Sequence, residues 1–480
     1  MAHPLTERIA AALDLAPGDP AVEYEGAWHT WGQLGETARA IAALTPPGGR
    51  IGILLRNRPA HAAALLGVLL GEGCVVVINP SRGDERTRAD IAALALPVII
   101  GAPEDLAALV TTDRSTTVVA LTDGPPQITR AAAPRPDAGR PGVAVWMLTS
   151  GTTGPPKRVD LRYDMLAHSV IGSPQPPGQP RRGVAIVNSP LVHIGGVYRI
   201  LQCVAEARPF VLLDRFDLDR WAAAVRAYQP KAVSLVPAAL RMVLHSELTR
   251  EDLASVRAVT SGTAPLSADD ADAFTTKFGI PVLTSYAATE FGGGVAGWTL
   301  TDYQKHWKAK RGSVGRASLG AALRVVGDDG SPLGPDQPGL LEVKPGQLGP
   351  GADWMRTTDL ARIDTDGFLW ILGRADQAII RGGFKVMPDD VRVALEAHPA
   401  VKGAAVVGQA DDRLGQTPVA AVELRSGAHA DAGALTDFLS TRLARYEIPT
   451  TIAIVDALPR TPSGKADLNA VRELIGEHGR

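Results

Sequence analysis

The stretch LTSGTTGPPKRVD, residues 148–160, gathers hydroxyls, glycines and a lysine into one short segment. Glycine-rich backbone offers N–H groups to an anion, Ser and Thr add donors, and a lysine adds charge, so the chemistry this composition suits is the holding of phosphate. It is not a Walker A loop, which requires G-x-x-x-x-G-K-[ST]. Here Gly151 and Gly154 sit three apart, Lys157 follows three later, and the next residue is Arg158. Read alone, the same cluster also fits an ordinary surface loop.

The elements around it decide how such a loop would be held. AVWM (144–147) is a short apolar run that predicts a buried strand leading into the loop. Through the first 300 residues, strand-like runs such as VAIVNSP, FVLLD, AVSLV, RAVTSG and PVLTSY alternate with helical patterns. That alternation predicts parallel sheet covered by helices. Pro/Gly-rich stretches at 124–142, 172–183 and 327–353 read as connecting loops. After Arg374 the units become smaller, about a hundred residues of α+β. The expected organisation is an α/β fold with a large multi-layer N-terminal domain, 1–375, and a small mobile α+β C-terminal domain, 376–480.

Composition narrows the function classes. A formal net charge of −2 over 480 residues argues against nucleic acid or an anionic membrane as partner. Two cysteines, Cys74 and Cys203, support neither a disulfide framework nor a zinc site. The N-terminus lacks the layout of a signal peptide. HAAALLGVLLGEGCVVVIN (61–79) is interrupted by Gly71, Glu72 and Gly73, which fits a buried helix and strand better than a membrane span. A cytoplasmic enzyme is expected.

In chain order, LTSGTTGPPK, SPLVHIGG (189–196), TSGTAPLS (260–267), SYAATE (285–290), TTDL (357–360), GRADQAIIRGGFKV (373–386) and PRTPSGKADLNAV (459–471) together resemble the adenylate-forming (AMP-binding) superfamily of acyl-CoA and aryl-CoA ligases. The resemblance implies a two-step reaction. A carboxylate attacks ATP to give acyl-adenylate and pyrophosphate, then the C-terminal domain rotates and coenzyme A displaces AMP. It assigns Thr149, Ser150, Thr152, Thr153 and Lys157 to the pyrophosphate, Glu290 to Mg2+, and Thr289 to the α-phosphate. Tyr286, Gly262 and Thr263 would hold adenine, and Asp359 and Arg374 the ribose. Lys465 is the implied adenylation lysine and Asp376 the hinge. Gly382, Gly383 and Lys385 belong to the loop that serves the second step. His193 is expected at the gate of the acyl pocket, whose walls would include Gly195, Ala287, Ala288 and Gly293.

Three residues depart from the pattern. Arg158 stands where relatives carry Gly, Ala287 replaces the Gly of YG-x-TE, and Thr358 replaces the Gly of TGD. Arg158 would block the ATP tail, hold the loop in an unproductive shape, or point to solvent. Both other replacements put a Cβ at an expectedly crowded place. Two readings follow: a complete ligase, or a half-enzyme that takes preformed acyl-adenylate from a separate adenylating enzyme. Loading of a carrier protein is a third, and a homodimer is compatible with each. The small pocket residues predict a bulky, largely apolar acid, with no basic residue evident for a second carboxylate. Fatty, aryl and polycyclic natural-product acids of secondary metabolism stay equally open.

Overall fold

The computed structural model describes residues 2–111, 115–133, 137–148, 157–172, 177–318, 320–381, 384–411, 413–461 and 464–478, with the backbone alone for residues 385, 477 and 478. A seven-stranded sheet runs in the order Gln127–Arg130, Thr117–Ala120, Val98–Gly101, Arg50–Leu54, Cys74–Ile78, Val143–Leu148, Arg158–Arg162. Its five inner strands are parallel and its two edges antiparallel. The Cys74–Ile78 strand is buried at every position. An unbroken β-branched run of this kind needs cover on both faces. Part of that cover is the Pro59–Leu70 helix, apolar all round and almost wholly buried. No described helix is long and apolar enough to cross a membrane.

A second sheet places Ala232–Ser234, Ala258–Ser261 and Val282–Ala288 side by side in parallel, then adds Gly293–Gly297 and Arg316–Ala317 antiparallel. Its Ala268–Phe278 helix begins at Ser267, whose hydroxyl accepts from the Asp270 N–H, and stops at Gly279 with φ +66°. A four-stranded sheet of Ala185–Val187, Phe210–Leu212, Pro20–Tyr24 and Ala27–Thr30 completes the upstream body.

Two connectors differ from expectation. The stretch 327–353 contains the strand Gly339–Lys344, the second member of an antiparallel sheet with Ala322–Val326, Met355–Ile363 and Leu369–Arg374. Flanking Gly and Pro mask its alternation, but Leu341 and Val343 are fully buried. Likewise 124–142 holds the edge strand Gln127–Arg130.

The last sheet runs Phe384–Val386, Ile379–Arg381, Gly415–Leu424, Val401–Asp411, with Thr451–Val455 parallel to Gly415–Leu424. Alternate residues feed two cores: Ala404, Val406, Ala420 and Val422 on one face, Ala405, Val407, Val419 and Ala421 on the other. The two cysteines lie apart in separate cores, their thiols pushed up to about 12 (Cys74) and about 11 (Cys203) by burial.

His61, 1% exposed in the Pro59–Leu70 helix, accepts from the Arg56 N–H through Nδ1. Burial first, then the Arg58 charge, pull it down to about 4. The unfolded chain therefore binds a proton below its ordinary 6.5 that the folded chain refuses until about 4. On this account stability falls by about 3 kcal/mol as pH drops through that window. Denaturant midpoints measured across it should decline, and His61→Gln should remove that part of the slope.

Candidate active site

Neighbouring parallel strands deliver their carboxyl ends to one edge, the usual place for ligands in such sheets. Ala258–Ser261 ends in Gly262 and Thr263, and Val282–Ala288, in register beside it, ends in a 3-10 turn, Thr289–Phe291. A Cβ on Gly262 would fall 2.8 Å from Ser285 Oγ, so glycine lets the two strand ends approach without displacing that hydroxyl. Thr263 holds φ +70°, an uncommon conformation for a β-branched residue and one that clusters at functional sites. Between the residues preceding Gly262 and Tyr286 lies a pocket of about 90 Å³, lined by Ser261, Ser285, Leu266, Trp307, Ser313 and Ile371 among others. Ser261 Oγ is buried there without a partner.

The antiparallel sheet brings the acidic and basic residues to the same edge. Asp359 and Arg374 are direct cross-strand partners. The Tyr286 hydroxyl donates to Asp359 Oδ2, and the Asp359 N–H donates to Thr357 Oγ1 at 3.0 Å. Burial raises the Asp359 carboxyl, opposed by Tyr286, Arg374 and Lys465. Arg374 donates through Nε to Asp376 Oδ1 (2.9 Å), and through one terminal nitrogen to Asp376 Oδ2 and Thr358 Oγ1 (both 2.7 Å). The Asp376 contact holds its guanidinium above the ordinary range. Asp376 itself sits in the 3-10 turn Ala375–Gln377, where the chain passes to the last sheet.

From that last domain comes Lys465. Its turn is closed by the Thr461 N–H donating to the Lys465 carbonyl at 2.7 Å, with Arg460 reaching the Gly464 carbonyl. Burial and Arg374 hold the Lys465 ammonium below the usual lysine range, against Asp359 and Glu290, which favour its charge. Lys465 in turn acts on His193, which burial, then that cation, lower to about 4. One cleft thus contains Glu290, Asp359, Arg374, His193 and a lysine from the other domain.

His193 is the N-cap residue of the Ile194–Ala205 helix, and its Nε2 is buried without a partner. Nothing lies within 4 Å of where a Cβ on Gly195 would be. Ala287 and Ala288 pair with Gly294 and Gly293 across a hairpin. Glu290, at the hairpin's start, is exposed and acceptor-only, as a Mg2+ ion keeping its waters and phosphate ligands requires. Among the described residues no cluster of three or more metal-ligating side chains exists, so Glu290 fits Mg2+ only together with a nucleotide's oxygens.

Thr149, Ser150, Thr152, Thr153, Gly382 and Gly383 lie outside the described residues. Lys157 stands exposed beside Arg158, which opens the returning strand Arg158–Arg162, paired with Leu148 across the loop. Lys385 pairs through its backbone with Ile380. In that hairpin Arg381 donates to the Tyr446 and Ile448 carbonyls, and Phe384 stacks on Tyr446 with ring centroids 4.7 Å apart. The described contacts of the hairpin stay within its own domain, while Lys465 occupies the cleft.

The three departures do not act as expected. Arg158 does not turn to solvent. It is 8% exposed, pairs with Asp90 at 2.6 Å, donates to the Val77 and Trp146 carbonyls, and covers the Trp146 ring. Ala287 is exposed and has no positive φ, beside a register shift in the hairpin at Tyr286/Ala287. Thr358 is exposed too, and its hydroxyl serves Arg374. Sequence reading also missed Tyr198, although its position three residues after Gly195 puts both on one helix face. Its hydroxyl, pushed up to about 12 chiefly by burial, donates to the Gly292 carbonyl and accepts from Ser169 Oγ (3.1 Å).

The AMP-binding enzyme model matches residues 9–351, and the AMP-binding enzyme C-terminal domain model matches 391–465. The indoleacetate–CoA ligase of Aromatoleum aromaticum is 31% identical over 72% of this chain and 70% of its own. The feruloyl-CoA synthase of an Amycolatopsis species is 27% identical over 96% and 97%. Among solved structures, ATP-bound MatB from Rhodopseudomonas palustris superposes with a TM-score of 0.84 at 25% identity, covering 99% of both chains. The o-succinylbenzoate CoA synthetase of Bacillus subtilis, complexed with its acyl-adenylate, gives 0.78 at 25% identity over 98% of both. With both family models matched in order along the chain, this chain belongs to the AMP-binding, adenylate-forming superfamily, within its AMP-forming acid–CoA ligases.

Proposed function

We propose that this chain is a complete two-step ligase joining a bulky, largely apolar carboxylic acid to coenzyme A. The observation that carries this reading is Lys465, which lies with Glu290, Asp359 and Arg374 in one cleft while Arg158 is engaged elsewhere by Asp90. In the first step the acid's oxygen attacks the α-phosphorus of ATP and pyrophosphate leaves. Charge builds on the transferring oxygens, where a fixed cation stabilises it most. Lys465 would supply that cation, Glu290 would hold Mg2+, and Lys157 with the 149–156 loop would hold the departing pyrophosphate. Thr289 would contact the α-phosphate. Asp359, released from Tyr286, would accept from the ribose hydroxyls beside Arg374, and Tyr286 would turn to the adenine. In the second step, rotation about Asp376 would withdraw Lys465 and bring the 381–385 hairpin to the cleft, where the thiol displaces AMP.

His193, neutral at physiological pH, fits a gate over the acyl pocket better than a cation. The open space at Gly195 and Gly294 favours a bulky acid body. The named acids of two relatives, indoleacetate and ferulate, are aromatic. A cytoplasmic setting, which provides ATP and coenzyme A, suits this chemistry. The half-enzyme reading drew on Arg158, Ala287 and Thr358; that Arg158 pairs with Asp90 and Thr358 with Arg374 supports the complete ligase over it. The deciding experiment gives acid, Mg-ATP and coenzyme A in one arm, and preformed acyl-adenylate with coenzyme A in the other. Thioester in both arms is expected; thioester from the adenylate alone would mean the first step is lost.

The adenylating orientation would be held partly by an ionic contact between domains. Arg241 bonds Asp270 at 2.7 Å and approaches Glu396 at 3.4 Å, while Arg392 bonds Glu396 at 2.7 Å and Asp389 at 3.0 Å. His245 and Arg425 meet alongside at 2.8 Å. Removing one partly buried partner costs about 1 kcal/mol of domain contact. Arg241→Gln should therefore slow pyrophosphate release roughly fivefold and leave transfer from preformed adenylate unchanged or faster. Equal loss in both half-reactions would refute the latch.

A further inference from the structure

Glu290 sits in a turn that its own sequence would leave loose. After Phe291 come three glycines in succession, Gly292, Gly293 and Gly294. Gly292 holds φ +70° and Gly293 φ +137°, conformations that glycine alone adopts readily, at a cost in backbone entropy. The hairpin ladder is irregular here too, with a register shift between Tyr286 and Ala287. Within the turn the Gly292 N–H donates to the Thr289 carbonyl at 3.0 Å, and Phe291, 2% exposed, anchors it in the core behind.

Two side chains from distant segments bond the carbonyls of this run. The Tyr198 hydroxyl, from the Ile194–Ala205 helix, donates to the Gly292 carbonyl. Gln347 Nε2, from the 3-10 turn Gly346–Leu348, donates to the Gly294 carbonyl at 2.8 Å. Gly293 lies between them, since a Cβ there would stand 3.3 Å from Gln347 Nε2 and 3.5 Å from the Tyr198 hydroxyl. Met165 closes another side, its Cε lying against the place a Cβ on Gly292 would take. Each holder is itself held. A phenol has one proton, so Ser169 Oγ, 3.1 Å away, leaves that proton for Gly292 by donating its own to the Tyr198 oxygen. Burial pushes the Tyr198 hydroxyl up to about 12, which keeps it a donor at neutral pH. Gly346 packs backbone on backbone, a Cβ there falling 2.7 Å from the Gly320 carbonyl carbon.

We infer that Tyr198 and Gln347 are positioning residues for Glu290, clamping the glycine run so that the carboxylate meets Mg2+ at a fixed place. The inference rests on the ligase reading, in which Glu290 would hold the ion that accompanies ATP. Mg2+ tolerates little departure from octahedral geometry, so a ligand on a loose turn would bind it weakly. Groups that orient a metal ligand without touching the metal are typically worth about tenfold or more in affinity.

The test titrates Mn2+, a paramagnetic stand-in for Mg2+, into the full chain with a non-hydrolysable ATP analogue, and reads bound metal by electron paramagnetic resonance. Tyr198→Phe should weaken that binding about tenfold, and raise by a similar factor the Mg2+ concentration giving half-maximal pyrophosphate release. The rate at saturating Mg2+ should fall much less, and transfer from preformed acyl-adenylate, run without the metal, should keep its wild-type rate. Gln347→Glu keeps the side chain's shape, loses the donor and sets a charge against the Gly294 carbonyl. Its bond is exposed, so this variant should fold and shift the Mn2+ affinity in the same direction. Wild-type Mn2+ affinity in both variants overturns the proposal and leaves the ligase reading standing. So does a loss shared by both half-reactions and insensitive to Mg2+, the mark of a merely structural role. Tyr198-dependent Mn2+ binding in a protein that releases no pyrophosphate with any acid would uphold the clamp and sink the ligase reading instead.

Discussion

Replacing Lys465 with Met should reduce pyrophosphate release by at least about a hundredfold, the loss expected when a fixed charge at a developing oxyanion is removed. Transfer from preformed acyl-adenylate to coenzyme A should stay within about threefold of wild type, because the lysine's domain would have turned away in that step. Comparable losses in both half-reactions would show that Lys465 serves folding or domain docking rather than the first step. The pH dependence adds a second mark. Burial first, then Arg374, hold the ammonium below the ordinary lysine range, with Asp359 and Glu290 opposing. The cation is the competent form, present at low pH and lost as pH rises through this lowered value. Adenylation should therefore decline on the alkaline side earlier than for an exposed lysine, and the second step should lack that limb. Since burial of this charge opposes folding at neutral pH, Lys465→Met should not lower the unfolding midpoint.

Arg158→Gly, which sequence comparison alone would offer as a repair, should instead damage the protein. The Arg158 side chain is 8% exposed, its partner Asp90 is 21% exposed, and Arg158 also caps the carbonyls of Val77 and Trp146. Those carbonyls lie where the parallel pairing of Cys74–Ile78 with Val143–Leu148 stops, after Val76 and Trp146. Trp146 is also covered by the Arg140 guanidinium, 4.1 Å from the ring centroid. Removing Arg158 leaves a partly buried carboxylate and loses these bonds together, a cost of about 3 kcal/mol. Denaturant unfolding should register that loss. Pyrophosphate release, measured well below the unfolding midpoint, should show no gain over wild type. A rise of tenfold or more would restore the view that Arg158 obstructs the phosphate loop. A cycle with Asp90→Asn should show strong coupling, since the two side chains share one contact.

Much of this molecule is determined by local sequence. The CVVVI run can only be a covered strand, because five consecutive apolar, mostly β-branched residues leave no face for water. The motif residues around Glu290, Asp359 and Lys465 specify the family because their chemistry depends on residue type and order. The strand Gly339–Lys344 was hidden, since Gly and Pro around it speak for a loop and only pairing with Met355–Ile363 overrides them. Arg158 was misjudged for a related reason. Its neighbours in sequence belong to a phosphate-type loop, whereas Asp90, its partner in space, comes from a helix 68 residues earlier. Sequence determines which groups are present and what local structure they favour. Tertiary structure decides which charges are satisfied and which are left facing a cleft, because that depends on partners contributed by distant segments.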